Sequence, residues 1–193
     1  PYLLTCKMSP IFHLWKFIEL RSFITGKIAI SKDYKTINKK KNWITNTTSR
    51  KIVHLLRNKY DCIMSTSKSI NYDDALLNCR IDGLNKNKPD LLILDLKLKL
   101  KRNLALNNLL KKRKTYIITL QKNYKKTSKY KKLGFKLIFI DSLKNKKDFD
   151  KLYQRLYKIG YTRILVESGL TFLNYLIRNK LINDLYIFKT NSN

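Results

Sequence analysis

The chain has 193 residues, 44% of them hydrophobic, and a formal charge of +29 from 42 Lys plus Arg against 13 Asp plus Glu. One globular domain with an ordinary core follows from that length. No window of about eighteen uncharged apolar residues occurs, which excludes a membrane-spanning helix. The three cysteines (Cys6, Cys62, Cys79) form no C-x-x-C pair, and His13 and His54 form no metal-binding motif. Neither a disulfide framework nor a zinc site is expected, and a reducing cytoplasm is the expected compartment. The N-terminal "PYLLTCKMSPIFHLWKF" does not read as a signal peptide. Lysines are spread from Lys7 to Lys189 in a chain also rich in Asn, Ile, Leu and Tyr. That pattern points to compositional bias more than to a nucleic-acid reader, which clusters its charge.

The first strand is "FITGKIAIS" (23–31), short, Ile-rich and bounded by turn formers. A helix follows, capped by Thr45, Asn46 or Thr47, with Ile52, Leu55 and Leu56 on its inner face. "YDCIMSTS" (60–67) reads as a strand and "INYDDALLNCRIDGLNKNKP" as a long loop without a period. "DLLILDL" (90–96), "TYIITL" (115–120) and "FKLIFID" (135–141) are further strands. The dense basic run "KKRKTYIITLQKNYKKTSKYKK" predicts a solvated surface. In "DFDKLYQRLYKIG", Phe149, Leu152, Tyr153, Leu156 and Tyr157 follow helical spacing, and Gly160 is a natural stop. A strand over 163–167, a helix over about 170–181 and a strand over 184–190 complete the series. With only three residues after it, that last strand predicts an open sheet edge. The alternation predicts an α/β fold, three-layer α/β/α with a mostly parallel central sheet.

Glu167 stands out in "RILVESGL", because the chain has only two glutamates and this one ends a buried strand. In open α/β sheets, ligands bind at the carboxyl ends of strands. Gly169 lets a ligand approach the backbone, and the helix start behind it offers free N–H groups to a phosphate. The plainer alternative is a surface carboxylate favoured by the helix dipole.

Five ordered blocks then carry a resemblance: "GKIAISKDYKT", "NWITNTTSRKIVHLLRNKYDCIM", "SKSINYDDALLNCR", "DLLILD" and "RILVESGLTFLNYLIRNKLINDLYIF". Together they resemble the reductase domain of the bifunctional riboflavin-biosynthesis deaminase/reductase, which has a dihydrofolate-reductase-like fold. The match runs from about Arg21 to the last residue. It leaves residues 1–20 unassigned and makes 21–193 one reductase domain, cut short at its C-terminus.

The resemblance implies an NADPH-dependent reduction of 5-amino-6-(5-phosphoribosylamino)uracil, opening the ribosyl ring to a ribityl chain. Glu167 and Lys27 are then the catalytic residues. Arg57, Leu77 and Arg80, with Glu167, bind substrate. Ala29, Trp43, Ser69, Asp73, Gly169, Leu170, Thr171, Phe172 and Leu173 contact the cofactor. Implied partners are a phosphorylated pyrimidine substrate, a second copy in a homodimer, and a deaminase domain or partner; neither membrane nor nucleic acid is expected. Some residues depart from the family pattern: Asp33-Tyr34 replaces an Asp-Gly turn, Lys41 a serine, Ala75 a proline, and Leu96 a small polar residue. They keep an inactive reductase remnant open as an alternative. A related pteridine or dihydrofolate-type reductase and a basic nucleic-acid-binding module are the others.

Overall fold

The computed structural model describes residues 20–31, 47–84 and 89–189. Seven strands form one sheet: β1 (Phe23–Ile30), β2 (Cys62–Thr66), β3 (Asp90–Leu94), β4 (Thr115–Leu120), β5 (Lys136–Ile140), β6 (Arg163–Glu167) and β7 (Asp184–Lys189). Their order is β5-β4-β3-β2-β6-β1-β7, and every pairing is parallel. The sheet is therefore more uniform than the mostly parallel one expected. Among the described residues, β7 is an edge strand.

Strands covered on both faces need apolar side chains pointing both ways, and the sequence supplies continuous runs. Ile24, Met64, Leu92, Ile118 and Val166 face one layer, which holds α4 (Lys146–Lys158) and α5 (Leu170–Arg178). Ile63, Leu91, Ile93, Ile117 and Leu165 face the other, with α1 (Thr47–Asn58), α2 (Ser67–Asp73) and α3 (Ser128–Leu133). The three-layer α/β/α arrangement is thus present.

Helix ends obey recognisable rules. Phe135, Tyr161 and Leu181 each donate an N–H five residues back, to the carbonyls of Tyr130, Leu156 and Leu176. The residue before each is left-handed: Gly134, Gly160 and Lys180. This Schellman closure stops α3, α4 and α5 and turns the chain back toward the sheet. The helix expected over 170–181 ends at Arg178 for this reason. Its stop residue is a lysine at φ 53°, which the sequence does not flag.

Three further expectations need correction. Residues 67–73 form a helix where a strand end and a loop were expected: Thr66 caps it by accepting the Ser69 N–H, and seven residues are too few to display a period. Leu55 is exposed, whereas Val53 and Leu56 carry the buried stripe of α1. The basic run is not uniformly solvated, since Arg113, Thr127 and Tyr130 within it are buried. Trp43, Lys41, Asp33, Tyr34 and the expected caps Thr45 and Asn46 lie outside the described residues.

Candidate active site at the carboxyl ends of β1, β2 and β6

Parallel register sets the first pair. Lys27 of β1 lies opposite Glu167, the last residue of β6, so both side chains leave the same face of the sheet. Lys27 Nζ is 3.5 Å from Glu167 Oε2. That face is covered by α1, whose last turn carries Arg57. The guanidinium clamps the carboxylate with both arms: Nε donates to Oε1 at 2.6 Å and Nη2 to Oε2 at 3.0 Å. Planar fork-to-carboxylate geometry is what arginine offers and lysine does not.

Glu167 is buried, at 8% exposure. Burial alone would push its carboxyl up, but the charges of Arg57 and Lys27 outweigh that and hold it at about 2. The group is a fixed carboxylate at any ordinary pH.

Arg57 also reaches the next segment. Its Nη1 donates to the Asn78 carbonyl at 3.1 Å. His54 stands one helical turn earlier, with Nδ1 at 3.0 Å from the same carbonyl oxygen and 3.2 Å from the Arg80 amide nitrogen. The ring donates to the first in one tautomer and accepts from the second in the other. Burial, then the charges of Arg57 and Arg80, lower the His54 pKa and favour neutral imidazole. Leu77 is buried with φ 47°, and its carbonyl accepts from Arg113 Nη1 at 2.6 Å. Arg80 itself is exposed. It joins the cluster through its amide and makes no ion pair with Glu167 among the described residues, so the structure brings Lys27 and Arg57, but not the Arg80 guanidinium, onto the carboxylate.

Beside Glu167 two helix starts meet. Thr66 Oγ1 and Ser69 Oγ are 3.0 Å apart, Ser168 Oγ lies 3.5 and 3.4 Å from them, and the Gly169 amide donates to Ser69 Oγ at 3.0 Å. Gly169 caps α5 without a side chain. A Cβ added there would find only Ser69 Oγ, at 3.5 Å, so the space before the helix is open. Phe172 and Leu173 already donate their amides to the Gly169 carbonyl, which leaves Leu170 and Thr171 as the first-turn donors. Phe172 packs toward Phe149 and Leu173 is buried; their side chains hold the helix down. Hydroxyls, open backbone and a helix start fit a phosphate-bearing cofactor. Ala29 packs into the core on the Glu167 face, and Asp73 is exposed at the end of α2.

Thr66, Asn78 and Arg113 were not flagged from the sequence, and His54 was weighed only as a metal ligand. The spacing of His54 and Arg57, three apart on one helix, is a usable signal. Arg113 inside a basic run gives none.

A parallel α/β sheet with a charged cluster and paired helix starts at its carboxyl edge belongs to the class of folds that bind nucleotide cofactors there. The chain belongs to the RibD C-terminal domain family, which matches residues 22–190. It is 23% identical over 184 residues to the riboflavin biosynthesis protein RibD of Actinobacillus pleuropneumoniae, covering 94% of this chain and 48% of that protein. It is 27% identical over 199 residues to RibD of Buchnera aphidicola subsp. Baizongia pistaciae, covering 90% of this chain and 47% of that one. The chain thus spans about half the length of the curated relatives it matches. Among solved structures, Acinetobacter baumannii RibD form 2 superposes with a TM-score of 0.76 at 19% identity, over 93% of this chain and 49% of that one. The riboflavin biosynthesis reductase Rib7 of Saccharomyces cerevisiae gives 0.72 at 20% identity, over 90% and 75%. The fold is the dihydrofolate-reductase-like one expected.

Proposed function

We propose that the chain reduces 5-amino-6-(5-phosphoribosylamino)uracil to its ribitylamino product with NADPH, downstream of a deaminase domain or partner, as a homodimer in the cytoplasm. The observation that carries this reading is the Glu167 cluster, pinned by Arg57 and Lys27 beside an open helix start. Family membership supports it. So does the printed description of a Thermotoga maritima neighbour as a deaminase and 5-amino-6-(5-phosphoribosylamino)uracil reductase.

The nicotinamide supplies the hydride; this chain supplies place and charge. Thr66, Ser69, Ser168 and the first-turn amides of α5 would hold cofactor phosphate, next to the Glu167 carboxylate that faces the substrate. The family resemblance adds Ala29, Trp43 and Asp73 as further residues that would contact the cofactor. Glu167 is ionised, so it acts as an acceptor and not as an acid. It holds ribose hydroxyls and steadies the cation that develops at C1′. As the C1′–O4′ bond breaks and C1′ receives the hydride, O4′ needs one proton. Lys27 Nζ gives it and recovers one from water. Arg57 keeps the carboxylate aimed, while Arg80 and the Leu77 backbone take the substrate's phosphate end. Two fixed cations against one carboxylate leave this corner positive, which suits a phosphorylated substrate.

The test is loss of NADPH absorbance with the deaminated pyrimidine substrate, compared with its unphosphorylated form. Turnover of the first and none of the second supports the assignment; reduction of neither contradicts it.

A further inference from the structure

Arg113 is a basic side chain that the reaction above does not use. It precedes β4, and only 6% of it is exposed. Among the described residues no carboxylate pairs with it. Its guanidinium instead spends its donors on backbone: Nη1 on the Leu77 carbonyl at 2.6 Å and the Pro89 carbonyl at 3.3 Å, and Nη2 on the Leu76 carbonyl. Nε has no partner. Asp90 is near enough to favour the charged form, but burying a cation with no carboxylate paired to it is costly. Burial and the nearby Arg57 charge lower its pKa to about 10, so it is still charged at neutral pH.

Two of the three carbonyls it grips, those of Leu76 and Leu77, belong to one short segment with a special conformation. Leu77 sits at φ 47°, a left-handed position that a bulky residue adopts only when its surroundings impose it. One and three residues beyond Leu77, the same segment is held by Arg57 at the Asn78 carbonyl and by His54 at Asn78 and Arg80. Three basic side chains from two separate stretches thus close on residues 76–80, and Arg57 connects that segment to Glu167.

We propose that Arg113 is a positioning residue: its buried guanidinium imposes the left-handed turn at Leu77 and so presents the 77–80 segment to the substrate. The substrate part rests on the function proposed above; the conformational part does not. A mainly structural arginine would stabilise the whole fold, whereas a clasp governs this segment alone.

Two buried thiols report the difference. Cys79 lies on the segment, and Cys62 lies in the central strand β2. The experiment measures thiol alkylation at each by peptide mass spectrometry in wild type, Arg113→Met and Arg113→Lys, together with the KM values for pyrimidine and NADPH. In Arg113→Met, Cys79 should alkylate about tenfold faster or more, with Cys62 unchanged. The pyrimidine KM should rise by a similar factor and the NADPH KM stay within about twofold. Loss of even one charge-assisted bond to the segment sets that lower bound. Arg113→Lys keeps the charge without the fork, should fall between, and carries the test if Arg113→Met does not fold. Unchanged Cys79 alkylation, or parallel acceleration at both cysteines, overturns the proposal. The expected alkylation pattern in a wild-type protein that reduces nothing would overturn the functional reading and leave the clasp standing.

Discussion

Replacing Glu167 tests the cluster from two sides. Gln keeps the volume and removes the charge, so Arg57 and Lys27 become largely covered cations without a counter-ion. Breaking such a group costs about 3–5 kcal/mol, and denaturant unfolding of Glu167→Gln should show a loss of that order. The pH dependence follows with a definite sign. The folded carboxyl is held at about 2 against an ordinary 4.5, so its stabilisation is full above 4.5 and is lost as pH falls toward 2. Wild type should lose stability across that window more steeply than Glu167→Gln; equal slopes would contradict the assignment. His54 has a lowered pKa as well, so its stabilisation is full above 6.5 and fades as pH falls through the folded value. Protonation there adds charge beside Arg57 and Arg80, opposed by the Asn78 carbonyl and then by Glu167. Arg80 contributes its amide to the fold and its exposed guanidinium to solvent. Arg80→Ala keeps the amide. It should leave the melting temperature nearly unchanged while raising the KM for the phosphorylated pyrimidine about tenfold or more, the scale of a lost charged hydrogen bond.

Two glycines at the element scale have opposite roles. A Cβ at Gly26 of β1 would meet Leu173 Cδ1 at 2.8 Å and Leu185 Cδ1 at 2.9 Å, so α5 and β7 both close over this position. Gly26→Ala should cost about 1–3 kcal/mol through overpacking. Gly169 has φ −62°, and a Cβ there would meet Ser69 Oγ at 3.5 Å, an ordinary contact distance. Gly169→Ala should therefore leave unfolding within about 0.5 kcal/mol of wild type, yet weaken NADPH binding, measurable by cofactor fluorescence; unaltered binding would remove Gly169 from the cofactor contacts. Element types were largely legible because buried parallel strands are continuous apolar runs, as in "DLLILD", and α4 has a full helical stripe. The failures were short or local. α2 has only Ile70 and Ser67 buried, too little for a period. α5 ends on a left-handed lysine instead of a glycine. The cluster was legible in part: Glu167 showed itself as a rare carboxylate ending a strand, and Lys27 and Arg57 came through the family resemblance. Asn78 and Arg113 act through backbone contacts far apart in sequence, which no local pattern encodes.

For the whole molecule, the charge of +29 is carried on both helical layers. Lys51 and Lys68 are exposed on one, and Lys147, Lys151 and Lys158 on the other. Spread charge of this kind gives weak, salt-sensitive attraction to polyanions instead of a reading surface. Duplex DNA should bind no tighter than roughly 10⁻⁴–10⁻⁶ M at physiological salt, the non-specific range; nanomolar affinity would revive a nucleic-acid role. The central claim concerns what happens at the carboxyl edge of the sheet. The measurement that tests it most directly is single-turnover oxidation of NADPH by wild type and Glu167→Gln, each saturated with the deaminated, phosphorylated pyrimidine. Wild type should transfer hydride, and Glu167→Gln should do so about 10²-fold more slowly or slower still, the scale of one positioned electrostatic group, with NADPH affinity nearly unchanged. Equal rates for the two proteins, with both folded, would contradict it.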